Sequence, residues 1–332
     1  MGEVLTHQIE HLGLAARHHD TGATGTALHA PSIARGHSLD SGVTPDAPAL
    51  AVPQAGHIQQ SPQPGGDVMR SSEVQGELWG RAPATWSQEF ESQMQPLFDS
   101  TLAALGTLGG KRLLDAGCGT GLVASLADAA GASVSGLDAS SAFVEFAGER
   151  TPSAEFRVGD IEQLPYEDGA FDVVTAFNSV QYAVAPSVAF YELARVCEPG
   201  GQVAIGVWGD SARCETEAVF ARLRSLDPPP PGTAAPLGIS EPGRVESLLE
   251  AAGLTVCAQG EVSCPFTFRD IDHAWAAHSS AGAIHKFIEA VGADKVRDTI
   301  ASVLEADRKP DGELRQDNTF RFVIATKPAA GA

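Results

Sequence analysis

The sequence predicts an α/β protein whose sheet is mostly parallel and covered by helices on both faces. Three observations predict it. Strand-like and helix-like runs alternate from Arg112 to Trp208, a glycine cluster joins the first strand to the next helix, and 332 residues suffice for a sizeable core.

The elements follow in order. Thr85-x-x-Gln88 has the form of a capping box before Phe90, Met94, Phe98, Leu102 and Leu105, which recur at helical spacing, with Pro96 set to kink or split that helix. A strand is expected over 112–115, then a helix carrying Leu122, Leu126 and Ala130 on one side and ending at Gly131. Further strands are expected over 133–138, 155–159, 171–177 and 202–208, with helices over 143–150 and from Pro186 to Cys197. Glu198-Pro199-Gly200-Gly201 reads as the turn before the fifth strand. Beyond it come a helix over 240–252, strand-like runs near 254–268, helices through Glu305 and a last strand over 319–326.

Residues 1–78 contain no Phe, Tyr or Trp, yet seven of the ten histidines fall before position 58. Such a segment has too little to bury to offset its ordering entropy, so 1–71 is expected to be a disordered extension and 72–332 the folded domain. The histidines show no repeated ligand spacing, and no metal site is expected.

Net charge is −20, from 22 basic and 42 acidic residues, which argues against a nucleic-acid partner. No apolar run approaches the ~20 residues of a membrane span, and no signal-peptide pattern opens the chain. Five cysteines without a C-x-x-C pair suit reduced thiols, so a cytoplasmic location is expected. Oligomeric state is not legible.

The chemistry is expected at the carboxyl ends of the first strands. Asp115-Ala-Gly117-Cys-Gly119-Thr-Gly121 lets the backbone turn tightly and approach a ligand just before a helix N-terminus. Position 122 is Leu, which breaks the dinucleotide pattern G-x-G-x-x-G, and Asp115 would repel a pyrophosphate but suits an amino group. Asp138 lies 21 residues after Gly117, where a carboxylate can take both hydroxyls of a ribose. Asp160 and the backbone N–H of Ile161 end the third strand, where they could read an adenine edge. Each aspartate alone would read as a cap or loop residue.

With Gly136-Leu-Asp138-Ala139-Ser, Gly159-Asp160-Ile-Glu-Gln-Leu-Pro165, Phe171-Asp-Val-Val174 and Glu198-Pro-Gly-Gly201 in order, the chain resembles the class I S-adenosylmethionine-dependent methyltransferases. It is most similar to the bacterial small-molecule group of type 11 and ubiquinone-biosynthesis enzymes. The resemblance spans about 78–327. It implies a Rossmann-like, doubly wound seven-stranded sheet whose last strand runs antiparallel, preceded by a helical insertion. The implied cofactor is S-adenosyl-L-methionine, leaving as S-adenosyl-L-homocysteine.

Carried over by position, Gly117, Gly119 and Gly121 would wrap the methionine part, with Asp115 near its amino group. Asp138, with Ala139 beside it, would take the ribose, Asp160 and Ile161 the adenine, and Asn178 would face the sulfonium. Trp79, Arg81 and Trp86 would be lid contacts, though packing explains the tryptophans as well. Cys118 is given no catalytic role.

The implied acceptor is a small molecule, a natural product or secondary metabolite, with no membrane partner. Gln181, Tyr182 and Trp208 are candidate substrate contacts, and segments 210–240 and 269–316 are expected to cap the acceptor. The insertion holds His273, His278 and His285, of which His278 and His285 could share a helix face. A neutral His278 with a pKa near 6.5 is the candidate general base, a solvated or core histidine the plainer reading. Two other functions fit the same motifs: a cyclase that binds the cofactor without transferring a methyl group, and a nonenzymatic cofactor sensor.

Overall fold

A computed structural model of the chain describes residues 71–228, 236–329 and 331. The expected extension over 1–71 therefore lies outside the described residues except at Ser71, as does the part of the expected acceptor cap over 229–235.

The chain enters as α1 (Ser71–Trp79) and the single turn α2 (Pro83–Thr85). A π-helical turn over Trp86–Phe90 and a 3-10 turn over Glu91–Met94 lead into α3 (Gln95–Leu105). The capping box does not form. Thr85 already has helical angles, φ −67° and ψ −42°, whereas a capping side chain needs an extended backbone. Pro96 sits in the first turn of α3, so it splits the helix by starting a new one.

Next follow β1 (Arg112–Ala116), α4 (Leu122–Ala129), β2 (Ser133–Asp138), α5 (Ser141–Arg150), β3 (Glu155–Val158), β4 (Phe171–Phe177), α6 (Pro186–Val196) and β5 (Cys197–Trp208). The expected turn at 198–201 is instead an irregular start to β5. Cys197 already pairs with Phe171, and the register shifts before Val173 meets Gln202. Then come α7 (Thr216–Leu226), α8 (Arg244–Ala251), β6 (Thr255–Ser263), β7 (Phe266–Phe268), α9 (Ile271–Ser280), α10 (Gly282–Val291), α11 (Ala293–Ala306), β8 (Leu314–Gln316) and β9 (Thr319–Thr326).

Seven strands form one sheet in the order β3-β2-β1-β4-β5-β9-β6. The pairs among β1 to β5 are parallel, and β9 inserts antiparallel between β5 and β6. Adjacent strand residues point to opposite faces and feed two cores. Leu113, Val173, Ala204 and Ile324 pack on one side with α3, α4 and the inserted helices. Leu114, Val174, Val203 and Val323 pack on the other with Phe190, Leu193 and Leu249 of α6 and α8. Burial on both faces is why β4 reads Phe-Asp-Val-Val-Thr-Ala-Phe without clean alternation.

The insertion is not helical to its end. β8 pairs antiparallel with β7, so the two short strands bracket α9, α10 and α11 in the chain. A three-residue strand has too short a pattern to be told from loop in sequence.

Candidate active site

Strand order reverses between β1 and β4, so the connections after these strands diverge and leave a crevice at their carboxyl ends. The first is the turn after β1. Gly117, Gly119 and Gly121 have φ of +81°, +54° and +81°. At Gly117 a Cβ would lie 2.2 Å from the Cβ of Ser179, so glycine is required there by space as well as by angle. Gly121 does not line the cavity. Its hydrogen faces Ala147 of α5, where a Cβ would come within 2.8 Å, so it serves the packing of the turn against that helix.

Asp115 is 1% exposed. Its Oδ1 accepts the Thr175 hydroxyl at 2.8 Å, while Oδ2 has no partner among the described residues. Burial pushes its carboxyl up to about 7; the Thr175 hydrogen bond opposes this, and the charges of Asp138 and Glu91 add to it.

Asp138 closes β2, and its oxygens accept backbone N–H groups of Gly119 at 2.9 Å and Ser140 at 2.8 Å. Burial raises this carboxyl to about 6 against those hydrogen bonds. Ala139, Asp160 and Ile161 line the same cavity, and Asp160 also accepts the N–H of Glu162, the turn-forming role open to any aspartate.

After β4, Asn178 has φ +48°, the one positive value among described residues other than glycine. Its backbone N–H is held by the Gly206 carbonyl of β5, its Nδ2 reaches the Met94 sulfur, and its Oδ1 is buried without a donor among the described residues. Gln181 Oε1 is likewise buried without a donor, and burial lifts the Tyr182 hydroxyl to about 12.

Trp79 and Trp86 meet edge to face at 5.0 Å over the cavity, and Tyr182 lies 5.5 Å from Trp79. The two tryptophans thus pack on each other and line the cavity. Arg81 does not join them: it pairs at the surface with Glu77 and Glu289. Trp208, the last residue of β5, lines the same cavity, and its ring centroid lies 4.4 Å from that of Phe320.

Of the inserted histidines only His278 reaches the cavity. His273 pairs with Glu89 at 2.7 Å. His278 and His285 do not share a helix face, because the chain turns at Ala281 and puts them on α9 and α10. The His278 ring is 2% exposed, and its Nδ1 lies 2.8 Å from the Ala274 carbonyl, which makes Nδ1 the protonated nitrogen. Burial lowers its pKa to about 4, against the opposing effects of Ala274 and Gln316, so the expected value near 6.5 is corrected. A base that weak is neutral at every physiological pH.

Residues 114–205 match the model of a methyltransferase domain. The malonyl-[acyl-carrier protein] O-methyltransferase of Erwinia pyrifoliae is 30% identical over 207 residues, which is 62% of this chain and 75% of that protein. The chain belongs to the class I S-adenosylmethionine-dependent methyltransferases. The 27-O-demethylrifamycin SV methyltransferase of Amycolatopsis mediterranei is 34% identical over 142 residues, 39% of this chain and 52% of that enzyme. A solved [4+2]-cyclase, SpnF, shares the fold with a TM-score of 0.54 at 22% identity, over 79% of this chain and 98% of that one.

The methyltransferase thus uses S-adenosylmethionine, and its cavity suits that cofactor. Asp115 Oδ2, Asn178 Oδ1 and Gln181 Oε1 are buried acceptors lacking donors among the described residues, and a ligand bearing an ammonium group would satisfy such atoms. Sequence reading missed Glu91, Phe90, Thr216, Phe220 and Ile284, all of which line the cavity. Only Glu91 left a local signal, an acid inside an apolar helical repeat.

Proposed function

We propose that the enzyme methylates a small, largely apolar and uncharged acceptor, a natural product or secondary metabolite. The observation that carries this reading is the part of the cavity lining that lies outside the donor motifs and bears no charge. Phe90, Trp208, Phe220 and Ile284 form it, with His278 and Thr216 as neutral polar groups, and no Lys or Arg lines the cavity among the described residues. An anionic acceptor would lose its hydration there without gaining a counter-charge. The similarity to an enzyme named for a demethylrifamycin supports the same class of acceptor.

In this reading Gly117 and Gly119 hold the methionine part of the cofactor, Asp115 its amino group, Asp138 and Ala139 the ribose, and Asp160 and Ile161 the adenine. Asn178 faces the sulfur, and Trp79 and Trp86 cover the site. When bound, the cofactor supplies a methyl group already activated on a sulfonium. The protein's task is then alignment, which can be worth roughly 7–11 kcal/mol. Gln181, Tyr182 and Trp208 orient the acceptor, and segments 210–240 and 269–316 cap it. His278 Nε2, the unprotonated nitrogen, accepts a hydrogen bond from an acceptor hydroxyl and draws its proton away as the new bond forms.

The test is formation of S-adenosylhomocysteine with paired acceptors, a phenol or hydroxylated polyketide against its carboxylated or phosphorylated counterpart. Turnover should favour the uncharged member. Preference for the charged one would overturn the reading, and a cyclase would convert its substrate with no S-adenosylhomocysteine formed.

A further inference from the structure

Glu91 is a buried acid that the donor motifs do not account for. It lies on the 3-10 turn directly after the π-helical turn, an irregularity frequent at functional sites, and its residue is 4% exposed. Its Oε2 accepts Arg150 Nη1 at 2.7 Å. The same guanidinium reaches the Ser87 hydroxyl and, at 3.5 Å, that of Thr120. One cation from α5 therefore ties the N-terminal segment to the glycine turn.

The other oxygen of Glu91 is turned toward that turn. A Cβ built on Gly119 would lie 3.6 Å from Oε1, and Oε1 accepts no hydrogen bond from the described residues. Asp115 lines the same cavity, and its Oδ2 is buried and equally without a donor among the described residues. The Glu91 charge is felt at Asp115, adding to the rise of its pKa. Three carboxylates, Glu91, Asp115 and Asp138, thus line one cavity, and of these only Glu91 pairs with a guanidinium, which leaves an excess of negative charge that a cationic ligand would offset.

We propose that Glu91 is the second carboxylate of the subsite for the cofactor's α-ammonium group, carried to the glycine turn by the N-terminal segment. The proposal rests on the reading that Gly117 and Gly119 hold the methionine half. Arg150 then acts as a positioning residue: it fixes Oε2 so that Oε1 faces the ligand. The N-terminal segment is part of the binding site, beyond its role as a hydrophobic cover.

Calorimetry with two ligands tests this. S-adenosylhomocysteine carries the ammonium group, whereas 5′-methylthioadenosine keeps adenine and ribose and lacks the whole amino-acid part. Glu91→Gln, which retains an oxygen for Arg150, should weaken S-adenosylhomocysteine roughly tenfold and leave methylthioadenosine unchanged. Where the amide variant does not fold, Glu91→Asp should show the same contrast at roughly threefold. Equal losses for both ligands would mark Glu91 as purely structural, and unchanged S-adenosylhomocysteine binding would remove it from the subsite. Wild-type protein that binds the two ligands equally would overturn the underlying placement of the methionine half.

Discussion

Asp115 on β1 and Thr175 on β4 are joined by a hydrogen bond of 2.8 Å across the point where the strand order reverses. It orients the carboxylate so that Oδ1 is used internally and Oδ2 is left without a donor among the described residues.

Cofactor affinity should therefore depend on pH through Asp115. The ionised form pairs with an ammonium group, and in the empty protein this carboxyl titrates at about 7. S-adenosylhomocysteine should bind more tightly as pH rises from 6 to 8, by up to about tenfold per unit below 7, then level off. Calorimetry at pH 6.5 in buffers of different ionisation heat should show proton release on binding. Asp115→Asn should weaken binding and flatten the profile; an undiminished slope in that variant would assign the proton elsewhere.

The same carboxyl should make the empty fold less stable as pH rises. Its folded pKa of about 7, and that of Asp138 at about 6, exceed the ordinary 3.8. The folded state then holds more protons than the unfolded one between about pH 4 and 7, and the stability contributed there is lost on the way up. Asp115→Asn keeps an acceptor for Thr175 without the buried charge. It should raise the melting temperature at pH 8 by several degrees and by little at pH 5, measured by calorimetric scans.

Gly117→Ala should abolish measurable cofactor binding in a protein that still folds. The position combines φ +81° with a Cβ 2.2 Å from that of Ser179, so the turn must open. Strain of this kind costs about 1–3 kcal/mol. Gly148 offers the control, since a Cβ there meets nothing within 4 Å. Gly148→Ala should bind the cofactor as wild type does.

Asp138→Ala should weaken S-adenosylhomocysteine about ten- to a hundredfold, from the loss of charge-assisted hydrogen bonds to the ribose. Because Asp138 also holds the N–H groups of Gly119 and Ser140, the melting temperature should fall as well. Unchanged affinity in the folded variant would remove Asp138 from the site.

His278 should contribute no inflection near pH 6.5 to the rate profile, because burial keeps it neutral above about pH 4. His278→Ala should lower turnover about 10²–10⁴-fold with a phenolic acceptor if Nε2 takes the proton, and leave cofactor affinity intact. Full activity in that variant would leave catalysis to alignment alone.

By itself the sequence determined the parallel sheet, the carboxylates at its strand ends and the family. These depend on short-range patterns: β4 is a largely apolar run bounded by turn residues, and the glycine turn, Asp138 and Asp160 each sit in or beside the strand that positions them. Long-range packing decided the rest. No local pattern indicates that Glu91 comes to rest beside Gly119 and Arg150, that Arg81 turns outward to Glu289, or that α9 and α10 part at Ala281. The same holds for the carboxyl of Asp115 and the ring of His278, whose shifted pKa values follow from loss of water, a quantity set by every element packed around them. A sequence specifies which groups are present and which neighbours share a strand or turn. The distances, burial and unpaired atoms that make those groups a site arise only when segments far apart in the chain close on one another.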